Sequence, residues 1–158
     1  MNPVTLASPA KINLYLKVLG KRPDGYHDLE SLMCRVNLCD TLRLSFGTPT
    51  GAITCDHPDV PDGSANLAQK AATVFFESLS TPGAVTISIH KKIPVAAGLG
   101  GGSSNAATVL HALNAYYDNP FSTPQLMDIG LQIGADVPFF LFEHTAVAKG
   151  VGESLEAC

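Results

Sequence analysis

The sequence predicts an α+β fold, with helices packed on a mostly antiparallel sheet. Three observations carry this. Alternating apolar and polar residues dominate the chain up to Phe46, helical periodicity begins only after Ser64, and from there strand and helix patterns succeed one another through short loops. At 158 residues, with 46% hydrophobic and 15% charged residues, the chain is ordered and long enough for one domain with a real core.

The elements follow in order. Ala10, Ile12, Leu14, Leu16 and Val18 alternate with Lys11, Asn13, Tyr15 and Lys17, which predicts a half-buried strand with its leucines inward. Lys21 to Gly25 is a turn cluster, followed by extended runs over 29–38 and Thr41 to Phe46. A short strand is expected at Ala52 to Cys55. Ser64 reads as the N-cap of a helix through Leu79, carrying Leu67, Ala71, Val74 and Phe75 on its apolar side. Val85, Ile87 and Ile89 predict a strand that leads into a glycine-rich loop. Beyond it, Ala106, Val109, Leu110, Leu113 and Tyr117 mark one face of a helix that stops at Asp118-Asn119-Pro120. Ser122-Thr123-Pro124-Gln125 combines an N-cap, a first-turn proline and a capping-box glutamine for a third helix ending near Gly134. Extended pieces at 145–149 and 151–155 close the chain, which is expected to be one part of something longer.

Net charge is −4, with Lys and Arg too scattered to form a basic stripe, which argues against nucleic-acid binding. Cys34, Cys39, Cys55 and Cys158 form no Cys-x-x-Cys pair and follow no leader, so free thiols in a cytoplasmic protein are expected. The five histidines lack metal-ligand spacing. His111 is expected to be partly buried and structural. No apolar stretch reaches membrane-spanning length, so no membrane partner is expected.

The most informative stretch is Pro94-Val95-Ala96-Ala97-Gly98-Leu99-Gly100-Gly101-Gly102-Ser103-Ser104-Asn105. Glycines allow positive φ and close approach to the backbone, and Ser103, Ser104 and Asn105 are N-cap types. A side-chain-poor loop feeding a helix N-terminus offers unpaired N–H groups and the positive end of the helix dipole to a phosphate. A side chain at Gly101 is expected to occupy the phosphate space. The competing reading is a tight turn in a crowded interior. The loop is neither a Walker loop, which needs Gly-Lys-Ser/Thr, nor a dinucleotide fingerprint.

Phosphoryl transfer also needs charge compensation on the moving group and a carboxylate facing the acceptor hydroxyl. Lys11 and Asn13 project from the same face of the first strand; the alternative for Lys11 is a solvated strand lysine. Asp136, in Ile133-Gly134-Ala135-Asp136-Val137-Pro138-Phe139-Phe140, is a lone acid in apolar surroundings, where burial is costly unless it is paired. Its alternative is an N-cap of the following turn. Pro23-Asp24-Gly25-Tyr26-His27-Asp28 joins a phenol and an imidazole suited to a flat heterocycle, with a plain surface turn as the alternative.

Ser8-Pro9-Ala10-Lys11-Ile12-Asn13-Leu14, the Arg22 to His27 turn, Asn66-Leu67, the loop from Pro94 to Ala107 and Gly134 to Pro138 together resemble the GHMP kinase superfamily. Within it they are most similar to the branch that acts on a cytidine-diphosphate-linked methylerythritol in non-mevalonate isoprenoid biosynthesis. The resemblance implies the N-terminal ATP-binding and catalytic domain over residues 1–158, on a ribosomal-protein-like fold, with the family's C-terminal domain absent from this chain. It implies an ATP- and Mg²⁺-dependent kinase acting on the substrate's 2-hydroxyl, with Asp136 as base and Lys11 stabilising both Asp136 and the moving phosphoryl. Pro94 to Ser104 would hold the ATP phosphates, with the Ser103 or Ser104 hydroxyl toward Mg²⁺. Asn66 and Lys91 would contact the nucleotide of ATP; Asn13, Tyr26 and His27 would hold the cytidylyl end of the substrate. The alternatives are a related GHMP kinase such as homoserine kinase, an inactive fragment, or a non-catalytic binding module.

Overall fold

The structure is a computed structural model that describes residues 3–25, 27–150, 152 and 154–158. Strands β1 (Val4–Lys21) and β2 (His27–Phe46) form one long antiparallel pair, in register from Val4 opposite Leu44 to Lys21 opposite His27. β2 is the spine of a six-stranded sheet. β1 runs along one edge of it. On the other edge β4 (Val85–His90) pairs with residues 41–46 and β5 (Ala146–Gly150) pairs with residues 29–33. β3 (Ala52–Cys55) lies parallel to β4, the one parallel pairing among the described residues, and β6 (Ser154–Ala157) lies antiparallel to β5. The predicted α+β class with a mostly antiparallel sheet is therefore what is observed.

Four helices cover one face: α1 (Leu67–Leu79), α2 (Gly101–Tyr116), α3 (Thr123–Leu131) and α4 (Val137–Phe142). Along β4, Val85, Ile87 and Ile89 are buried while Ser88 and His90 are exposed, so only one side of the sheet is covered there. The core joins Leu42, Leu44 and Ile87 from the sheet to Phe75, Leu110, Leu113 and Phe139 from the helices.

Three local expectations need correction. β1 starts at Val4, not Ala10, and its second half is bare: Leu14, Leu16 and Val18 are 60%, 57% and 57% exposed. No helix covers that arm, and a register shift between Asn13 and Tyr15 breaks the alternation. The cap of α1 is Asn66, whose Oδ1 accepts from the Ala68 N–H at 3.0 Å; Ser64 lies in a 3₁₀ turn spanning Gly63–Ala65. α2 begins at Gly101, with Gly100 as its left-handed cap, so Ser103, Ser104 and Asn105 sit inside the helix. The capping box before α3 forms as expected, with the Ser122 N–H donating to Gln125 Oε1 at 2.9 Å. Of the last predicted strand, Val151 and Glu153 lie outside the described residues.

Candidate active site

The glycine loop leaves β4 and crosses the outer edge of β1. There the Lys11 N–H donates to the Leu99 carbonyl at 2.9 Å. Positive φ at Ala96 (57°), Gly98 (74°) and Gly100 (69°) turns the chain back on itself before α2 begins. Ser104 N–H bonds to the Gly100 carbonyl at 2.8 Å. Among the described residues, no protein acceptor takes the N–H groups of Gly100, Gly101, Gly102 or Ser103. These are the orphan donors of a helix start, and they open onto a cleft of about 310 Å³ lined by the loop, Asn66, Leu67 and Lys91.

Two of the loop expectations change. An added Cβ at Gly101 would point into the protein, 3.0 Å from Lys91 Nζ and 3.1 Å from Ile93 Cγ2, and not into phosphate space. The requirement for glycine there is packing beneath the loop. Ser104 is buried, and its Oγ accepts from Ser8 Oγ at 2.8 Å, so its hydroxyl is turned away from the cleft. Ser103 lines the cleft instead.

Lys11 is not a solvated strand lysine. Its side chain is 8% exposed, and Nζ donates to Asn13 Oδ1 at 2.8 Å and lies 3.5 Å from Asp136 Oδ2. Asn13 is held in turn by Ser31 Oγ, to which its Nδ2 donates at 2.6 Å. Asp136 is the N-cap residue of α4, yet its side chain makes no cap hydrogen bond. At 40% exposure the carboxylate is open to an incoming group while paired with Lys11. Lys11 and the loop are further joined through Gly100, where an added Cβ would come within 3.0 Å of Lys11 Cγ and of Phe140.

Asn66 lines the cleft with both ends of its amide engaged, Oδ1 by Ala68 N–H and Nδ2 by the Pro61 carbonyl at 3.0 Å. Lys91 is anchored below the loop by Asp40 and by Asn105 Oδ1 at 3.4 Å. Its backbone N–H and the His90 ring both bond Asp56, and these contacts hold the Asp56 carboxyl below the usual carboxylate range, the N–H contributing most.

The cytidylyl candidates are not gathered at this point. Asn13 is beside Lys11, but His27 is exposed at the far tip of the β1–β2 arm, opposite Lys21. Lys21 lies ten residue steps along the strand from Lys11, about 30 Å if the strand were straight. Tyr26 lies outside the described residues. The tip is fastened by Arg22, whose guanidinium pairs with Asp24 at 3.0 Å and Asp28 at 3.3 Å. Both acids raise the Arg22 pKa, hydrogen bonding to Asp24 most.

Asp40, Ser8, Ser31 and Asn105 were missed by sequence reasoning. Their flanking residues, as in Glu30-Ser31-Leu32 and Cys39-Asp40-Thr41, give no local signal of this role. Among the described residues no group of three or more His, Cys, Asp or Glu could hold a metal ion. No helix among the described residues is long and apolar enough to cross a membrane.

Comparison with known proteins gives consistent matches. The family model of the GHMP kinases N terminal domain matches residues 66–144, half of the chain. The 4-diphosphocytidyl-2-C-methyl-D-erythritol kinase of Pelobacter propionicus is 49% identical over 158 residues, covering 99% of this chain and 56% of that protein. The protein of the same name from Geobacter metallireducens is 48% identical over the same span and coverage. A crystal structure of 4-(cytidine 5'-diphospho)-2C-methyl-D-erythritol kinase superposes with a TM-score of 0.83 at 41% identity, over 98% of this chain and 55% of that one. Homoserine kinase from Cytophaga hutchinsonii reaches a TM-score of 0.73 at 17% identity, over 99% of this chain and 52% of that one, a likeness of fold alone. The chain thus spans about half the length of the curated relatives it matches.

Proposed function

Since the chain belongs to the GHMP kinases, we propose that it transfers the γ-phosphoryl of ATP to the 2-hydroxyl of 4-diphosphocytidyl-2-C-methyl-D-erythritol, a step of isoprenoid precursor synthesis. Residues 1–158 are the ATP-binding and catalytic domain of that kinase. The observation that carries this reading is the Lys11–Asp136 pair at 3.5 Å, beside a loop whose first helical N–H groups have no protein acceptor.

In this mechanism the amides of Gly100 to Ser103 hold the phosphate tail of ATP. Asp136 Oδ1 or Oδ2 takes the proton of the acceptor hydroxyl as its oxygen bonds to the γ-phosphorus and the bond to ADP breaks. Lys11 Nζ orients Asp136 and offsets the charge on the moving group, while Asn13 fixes the ammonium. Ser103, which lines the cleft beside the unpaired amides, offers a hydroxyl oxygen of the kind Mg²⁺ takes and would help to hold it against the phosphates. Mg²⁺, when bound, supplies neutralisation of the phosphate charge. Asn66 and Lys91 flank the nucleotide; Asn13 lies at the reacting end beside Lys11, and Tyr26 and His27 would meet the cytidylyl end of the substrate from the arm. Four unpaired cysteines fit a cytoplasmic location.

Asp136→Asn tests the assignment, because the amide keeps the shape and loses the base. kcat with the cytidylyl substrate is expected to fall by about 10²–10⁴-fold, with ATP affinity retained. Full turnover in that variant, or faster phosphorylation of homoserine than of the cytidylyl substrate by wild type, rejects the reading.

A further inference from the structure

Asp40 carries a fully buried carboxylate that none of the roles above uses. It stands opposite Ser8 where β2 passes the start of the loop. Four donors surround it. Oδ1 accepts from the Lys92 and Ile93 N–H groups, each at 2.8 Å. Oδ2 accepts from Asn105 Nδ2 at 3.0 Å and from the Lys91 ammonium. Asn105 Nδ2 also reaches Ser8 Oγ at 2.9 Å.

These donors are not a random set. Lys92 and Ile93 are the last residues before the loop, and Asn105 lies in α2 just after it. One carboxylate therefore pins both ends of the segment 94–104. The Lys91 side chain, 5% exposed, runs directly under Gly101. Its positive charge is balanced by the Asp40 carboxylate, and Asn105 Oδ1 at 3.4 Å is its neutral acceptor.

We infer that Asp40 is a positioning residue for ATP: through Lys91 and the two backbone amides it fixes the span and height of the phosphate loop. The inference rests on the phosphoryl-transfer reading. Its effect falls on ATP first, because among the described residues the Asp40 carboxylate bonds Lys91, Lys92, Ile93 and Asn105 and not Lys11, Asp136 or His27.

The test uses full-length protein, with ATP affinity by calorimetry and KM for each substrate. Asp40→Asn keeps an oxygen for the Lys92 and Ile93 amides but turns the other position from anion to amide, setting the Lys91 ammonium free. The ATP dissociation constant and KM are expected to rise about tenfold to a hundredfold, with the cytidylyl KM within about threefold of wild type and kcat lowered by no more than about tenfold, through the loop's contact with Lys11. A purely structural role would lower the melting temperature and leave the KM of the folded molecules unchanged, and that outcome overturns the inference. So does a parallel loss in both KM values and kcat. Should the single variant not fold, Asp40→Asn with Lys91→Met buries no unpaired charge and replaces it. A loss of ATP affinity of about tenfold to a hundredfold against wild type, with the cytidylyl KM within about threefold, supports the inference, and wild-type ATP affinity overturns it. A wild type that binds ATP without phosphorylating the cytidylyl substrate rejects the proposed acceptor while leaving this comparison intact; one that binds no ATP rejects both.

Discussion

Replacing Gly100 by alanine adds one methyl group where the loop, Lys11 and Phe140 meet. The residue sits at φ 69°, so any side chain pays a left-handed strain of about 1–2 kcal/mol. The new Cβ would also stand 3.0 Å from Lys11 Cγ and 3.0 Å from Phe140 Cε2 and Cζ, closer than carbons pack without moving. Phe140 is 4% exposed and wedged against Phe139, with ring centroids 5.3 Å apart, so it has little room to yield. Lys11 is the softer neighbour, although Asn13 holds its ammonium. Overpacking of this kind costs about 1–3 kcal/mol. Together the two effects come to about 2–5 kcal/mol, or about 5–15 °C in Tm for a chain of this size. A displacement of a few tenths of an ångström at Lys11 is expected to lower kcat about tenfold, since a misplacement of about 1 Å costs on the order of 10². Gly98→Ala is the control. Its φ is 74°, but nothing lies within 4 Å of the added Cβ, so it carries strain without the clash. Thermal denaturation and kcat at saturating substrates, measured on both variants at a temperature where both are folded, separate the effects. Equal kcat values for the two would refute the idea that the loop and Lys11 are packed as one unit.

Substituting His27 by alanine is expected to raise the KM for the cytidylyl substrate about tenfold and leave that for ATP unchanged, since the arm tip is remote from the loop; the reverse pattern would interchange the two pockets. The His111 pKa is lowered from 6.5 chiefly by burial, with the Arg35 charge adding to this and Glu143 opposing it. As pH falls below 6.5 the unfolded chain therefore takes up a proton that the native state resists, and stability declines toward the lower native pKa. His111→Leu is expected to flatten the dependence of Tm on pH below 6.5, and an unchanged slope in that variant would assign the acid sensitivity elsewhere.

How much of this was legible beforehand depends on the reach of each signal. β4 read correctly because Val85, Ile87 and Ile89 alternate and all three are buried under helices. Leu14, Leu16 and Val18 carry the same alternation and stay exposed, because a period-two pattern marks a possible inner face without saying whether a second layer lies against it. The capping box at Ser122 and Gln125 spans three residues and was readable for that reason. Ser64 and Asn66 are both good N-cap types, and the 3₁₀ turn that contains Ser64 adds no pattern that would choose between them. Lys11 and Asp136 were visible as residue types, and their pairing across the chain came from the family resemblance and not from spacing. Asp40 was invisible: its partners lie between 51 and 65 positions away, beyond any local periodicity.

The tie from Lys11 to Leu99 is made by the main chain, while the approach to Asp136 is made by the side chain of the same residue. Grip and chemistry are thus separable by mutagenesis. Cutting back the side chain leaves the clasp on the loop in place, so such variants can trap an intact ternary complex that does not turn over. The amide proton at this position, shielded only while the clasp is closed, offers a solvent-exchange probe of loop opening that needs no substitution.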